Sequence, residues 1–139
     1  MFTRLALVSV LSALVLACLG CGSSSFALYD GEYSARNVNS NDSTEILTLS
    51  ARVVQNELVE FSGRILTNDE NEDIILAVDY WGQNGDGLTI SESDGWFVYD
   101  DTNGTGNRFE GNFLSDGTVT CSFWNINSTE GATITATKD

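Results

Sequence analysis

A chain of 139 residues has room for one domain and one hydrophobic core. Twenty acids stand against six bases, with no histidine, for a formal charge of −14. Nucleic acid and anionic membrane surfaces need clustered Lys and Arg, so this balance speaks against both as partners of the protein surface. It fits a surface that repels its own copies or attracts cations. The missing histidine also removes the usual general base and the Ser–His and Cys–His nucleophile pairs. Paired carboxylates remain as a route to a hydrolase, but among twenty acids no spacing singles out two. The expectation is a protein that is not an enzyme.

In chain order, residues 1–4 carry one positive charge at Arg4, and residues 5–17 are apolar apart from Ser9 and Ser12. These are the n-region and h-region of a secretory signal, too short for a membrane span of about 20 apolar residues. The stretch VLACLGCGSSS follows, with Cys18 and Cys21 three residues apart. The whole segment resembles a bacterial lipoprotein signal. In that family a cysteine after a small residue, with aliphatics before it, is diacylated on sulfur and becomes the mature N-terminus ahead of a Gly/Ser tether. Cys18, after Val15, Leu16 and Ala17, is the expected lipidation site, and Cys21, after Gly20, is the alternative. The resemblance implies a signal peptide over 1–17, a lipidated cysteine and tether over 18–27, and a domain over 28–139. It also implies a membrane partner through the lipid, with the domain on the periplasmic or outer side of a bacterial envelope. Without Arg4, five bases would face the same twenty acids. A zinc site built on Cys-x-x-Cys would need two more Cys or His ligands, and only Cys121 remains.

From residue 29 the pattern has period two, with turn residues between the runs. Tyr29 to Ala35 opens the series. Leu47, Leu49, Ala51 and Val53 alternate with Thr48, Ser50 and Arg52, and Gln55-Asn56 reads as a tight hairpin loop into Val59, Phe61, Gly63 and Ile65. After a polar turn at 68–73, the run IILAVDYW (74–81) is uniformly apolar enough to predict a strand covered on both faces or closing over a cavity. Short runs at 88–91 and 96–100 follow, then Phe109, Gly111 and Phe113, then Val119, Cys121 and Phe123, then Ala132, Ile134 and Ala136. The expected fold is all-β, a single antiparallel up-and-down meander of about eight or nine strands forming a barrel, half-barrel or sandwich. Gly31, Gly63 and Gly111 lie inside strand patterns, where glycine marks a bend or a close backbone approach. The spacing of aromatics and glycines loosely resembles avidin- and lipocalin-like barrels, a likeness that carries no binding residues across. Transmembrane barrels use strands of about 9–11 residues with an apolar outer band, which these runs lack.

Three kinds of site are worth weighing. Residues 65–107 hold ten acids and no base. Asp69 and Asp73, Asp86, and Asp100 with Asp101 offer fragments of a calcium site, although none completes an EF-type loop. Asp, Asn and Gly are also what ordinary turns require. Trp81, Trp96, Tyr99 and Trp124 are candidate ligand-binding aromatics, either a stacking platform or the lining of a pocket, against the plainer reading that they cap the barrel. Trp124 shares a row with Thr118, Thr120 and Ser122, which places it outward. Cys121 reads as a small buried hydrophobe; with Cys18 lipidated, Cys21 would be free to bridge to it. The sequons at Asn41, Asn103 and Asn127 read as turn chemistry. The partner, whether ligand or protein, is not named by the sequence.

Overall fold

The computed structural model of the protein describes residues 28–82 and 85–139; Cys18 and Cys21, and with them the expected signal and tether, lie outside the described residues. Nine strands follow in order: β1 (Gly31–Val38), β2 (Glu45–Val54), β3 (Glu57–Thr67), β4 (Ile74–Trp81), β5 (Leu88–Thr89), β6 (Trp96–Asp100), β7 (Asn107–Phe113), β8 (Thr118–Asn125) and β9 (Gly131–Lys138). Every ladder is antiparallel. The strand order is β4-β3-β2-β1-β9-β8-β7-β6, with β5 on β3. Two four-stranded meanders therefore join through the first and last strands, and the sheet curls into a half-barrel. The period-two pattern predicted this all-β architecture.

The alternation works strand by strand. In β2, Leu47, Leu49, Ala51 and Val53 are buried, while Thr48, Ser50 and Arg52 lie on the outer row. The turn into β3 holds Gln55 and Asn56 at φ of 53° and 58°, the left-handed pair whose twist matches a two-residue hairpin. Neither residue is glycine. The Asp30 carboxylate accepts from both amides, at 2.7 Å from Gln55 N and 2.8 Å from Asn56 N, and so fixes the turn from outside.

The inner face is filled by rings. Phe61 and Phe109 stack at 4.0 Å with planes 9° apart, and Phe97, Phe113, Phe123 and Tyr33 complete the layer. Gly63 and Gly111 make room for it. A Cβ at 63 would lie 2.8 Å from the Phe123 ring, and one at 111 would lie 2.7 Å from Phe97. Truncating one such buried aromatic costs about 3–5 kcal/mol. The pairs Arg36–Glu72, Arg52–Glu60, Arg64–Asp79 and Arg108–Asp100 are partly or well exposed, and exposed pairs contribute about 0–1 kcal/mol each. The aromatic layer, not charge pairing, holds the domain together.

One expectation is corrected here. β4 is not covered on both faces but forms an edge of the sheet: Leu76 and Val78 are buried, while Ile74, Ile75 and Trp81 are exposed. Its apolar outer residues have no second layer to pack against, because the domain is one curled sheet. The run at 88–91 also contracts to the two-residue β5.

Candidate functional site

A barrel of this order leaves two places where neighbouring strands do not fully pair. The first is the seam between the free edges of β4 and β6. At one end of it β5 pairs with Glu57 and Leu58, Ile90 N donates to Asn56 O (3.3 Å), and Ser91 N donates to Trp96 O (2.9 Å). This short segment ties β3 to β6. Tyr80 on β4 and Tyr99 on β6 meet across the seam at 4.9 Å, and Tyr99 stacks on Phe109 at 5.0 Å. Burial, with Glu57 and Asp86 adding to it, pushes the Tyr80 phenol above its ordinary value; burial, with Asp101 adding, does the same for Tyr99.

The second place is a fork between β1 and β9. These strands pair only at Tyr33↔Lys138 and Ser34↔Thr137, whereas β1 pairs with β2 along its whole length. The inward row of β1 explains the separation. It runs Tyr33, Ala35, Asn37, from a buried ring through a methyl to an exposed amide. An unpartnered amide is costly to bury, so nothing draws the second half of β1 onto the core beside β9.

Beside the open end of this fork lies a cleft of about 480 Å³, within the range of small-molecule sites. Asn39, Ser40 and Asn41, in the loop leaving β1, form one wall; residues 122–124 of β8 and 131–133 of β9 form the rest. The wall is held by local chemistry. Asn39 N donates to Glu45 O (2.9 Å), Asn39 Nδ2 donates to Glu45 Oε2 (2.8 Å), and Asn39 Oδ1 accepts from Asn41 N (3.0 Å). Ser122 and Thr133 hydroxyls lie 2.7 Å apart. Trp124 is partly exposed on the outer row and carries the Arg108 guanidinium 5.2 Å from its ring centre, a cation–π contact. Across the ladder its partner is Gly131, where a Cβ would come within 3.1 Å of Trp124 Cβ. Arg108 on β7 thus lies against the indole, its cross-strand neighbour on β9 carries no side chain, and Trp124 lines the cleft. No lining residue of the cleft is charged.

The four candidate aromatics are not brought together. Trp124 lies at the fork. Trp81 and Trp96, exposed at 73% and 43%, sit on outer rows at the opposite end of the sheet. Tyr99 faces inward and belongs to the seam. Among the described residues the inner face is packed with rings.

The acids are likewise dispersed. Asp69 Oδ1 accepts from Asn71 N and Glu72 N (3.0 and 2.8 Å), and hydrogen bonding led by Thr67 holds its carboxyl below the ordinary range. Asp100 accepts from Thr102 N (3.0 Å) and Asp101 from Thr105 N and Oγ1 (3.0 and 2.7 Å); hydrogen bonding to Thr102, its side chain first, lowers the Asp100 carboxyl, and the Thr105 bonds lower that of Asp101. Asp73 closes the β3–β4 turn through its backbone, and Asp86 lies at the other end of the barrel, where its carbonyl accepts from Tyr80 Oη (3.3 Å). Among the described residues no three Cys, Asp or Glu side chains are arranged to hold a metal ion. Cys121 is buried on the inner face and burial pushes its thiol far up; the other end of the expected bridge, Cys21, lies outside the described residues.

Sequence reasoning missed Asn39, Ser40, Asn41, Thr133 and Gly131. The available signals were Asn37 on an inward row and a glycine opposite Trp124. No protein-family model, curated protein or solved structure matches this chain.

Proposed function

We propose that the protein is a non-catalytic envelope lipoprotein, anchored to a bacterial membrane through an acylated Cys18 or, as the alternative, Cys21, whose β-domain binds a ligand at the fork between β1 and β9. The observation that carries the binding half is the cleft of about 480 Å³ with Trp124 in its lining, set beside an inner face packed with aromatic rings among the described residues. The anchor rests on the short apolar leader and the Gly/Ser tether after the cysteines. The non-catalytic reading is supported by a chain without histidine, a buried Cys121 thiol, and aspartates committed to their own turns. A second reading, a purely structural envelope component, is favoured by the filled interior.

The mass of the protein extracted from its native membrane tests the anchor. A chain beginning at Cys18 or Cys21 with added acyl groups is expected, and Cys18→Ser with Cys21→Ser releases the protein from the membrane fraction. An unmodified chain, or membrane retention by the double variant, overturns the anchor. Saturable ligand binding that responds to Trp124 separates the binding reading from the structural one.

A further inference from the structure

The chemistry of the cleft narrows its ligand, on the condition that the fork is the binding site. A charged ligand would lose hydration on entry and meet no counter-charge, because none of the lining side chains is ionised. An anion would in addition enter against a chain charge of −14. Beside the wall, Glu45 accepts from the Asn39 amide and Asp42 accepts from Thr44 N and Oγ1, so both carboxylates are already engaged. A wholly apolar ligand would strand the amides and hydroxyls of Asn41, Ser40, Ser122 and Thr133, and a polar group left unpaired costs more than a bond gained. What fits is neutral, rich in hydroxyls, and apolar on one face. We infer that the cleft binds a neutral saccharide, with one sugar ring stacked on Trp124 and its hydroxyls exchanging hydrogen bonds with the Asn39–Asn41 wall and the Ser122–Thr133 pair.

The indole suits that role on three counts. It is partly exposed, its position is fixed by Arg108 at 5.2 Å, and its cross-strand neighbour is glycine. A stacking platform held still in advance costs less ordering on binding. In the Ser122–Thr133 pair the accepting hydroxyl keeps its own donor and the donating one keeps acceptor capacity, which suits a ligand whose hydroxyls both donate and accept.

The test uses the purified full-length protein. In a Trp81→Phe, Trp96→Phe double variant Trp124 is the sole indole, and cellobiose, maltotriose and N,N′-diacetylchitobiose are titrated while its emission is followed. A saturable change with at least one of these sugars is expected. Trp124→Ala in the otherwise native chain is expected to weaken binding of that sugar about tenfold or more by calorimetry, while unfolding stays cooperative. If an acidic oligosaccharide or a short peptide binds with a Trp124 response and no neutral sugar does, the saccharide class is wrong and the fork remains a ligand site. If no probe of any class moves Trp124, both readings fall. If a neutral sugar binds with equal strength to Trp124→Ala, the site lies elsewhere and the inference is overturned.

Discussion

The seam between β4 and β6 and the fork between β1 and β9 are the two interruptions of one sheet, and they are built from opposite chemistry. At the seam, Tyr80, Tyr99 and Phe109 interlock, and the β5 segment links β3 to β6. At the fork, two residue pairs join the strands, and beyond them lie amides, hydroxyls and one indole. A gap filled with rings contributes stability; a gap lined with uncharged polar groups contributes little and leaves room for a ligand. The difference supports a structural role for one interruption and the proposed recognition at the other.

Substitutions that unpack the seam and its neighbouring core break this contrast most severely. Phe109→Ala is expected to cost about 3–5 kcal/mol, because Phe109 is fully buried and packs on Phe61, Tyr99, Tyr80 and Phe97. Phe109→Leu keeps most of the volume and loses mainly ring stacking, about 1 kcal/mol. Urea midpoints separate the two. Gly111→Ala comes next, at about 1–3 kcal/mol, since its Cβ would fall 2.5 Å from Thr120 O and 2.7 Å from Phe97. Trp124→Ala, which touches the fork and not the core, is expected to shift the urea midpoint by less than either.

Alkaline pH sharpens the comparison further. Burial raises the phenols of Tyr80 and Tyr99 in the folded protein. Their contribution is therefore full below the ordinary tyrosine value of about 10 and is lost as pH rises through the higher folded values. Melting temperature is expected to fall from that point upward, and the fall is expected to be shallower in Tyr80→Phe with Tyr99→Phe. An equal slope in the double variant would place the seam tyrosines in water. The smallest effect concerns the hairpin. Gln55 stands at φ 53°, where a side chain is strained and glycine is not. Gln55→Gly is expected to raise stability by about 0.5–1 kcal/mol, read from the same urea midpoints.

Much of this fold was legible because alternation in a one-layer sheet maps directly onto inside and outside. Leu47 to Val53 and Val119 to Phe123 point where their spacing says, and Gly63 and Gly111 sit under rings as glycines inside strands should. β4 misled because local apolarity does not reveal whether a neighbouring layer exists. Trp81 and Ile74 are exposed for want of one. The site was harder to see. Trp124 was readable as outward from its row, but its significance depends on partners distant in sequence: Arg108 on β7, Gly131 on β9 and the Asn39–Asn41 loop. The acidic fragments drew attention through composition alone, and the carboxylates of Asp69, Asp100 and Asp101 accept from amides two to four residues away.

Recognition at this end of the sheet requires the fork to be open, and interstrand NOEs between β1 and β9 measure that. Contacts are expected between Tyr33 and Lys138 and between Ser34 and Thr137, with none linking residues 35–38 to 133–136. A ladder continuing through Ala35, Arg36 and Asn37 would zip the fork shut, remove the cleft, and contradict the assignment of recognition to this end of the barrel.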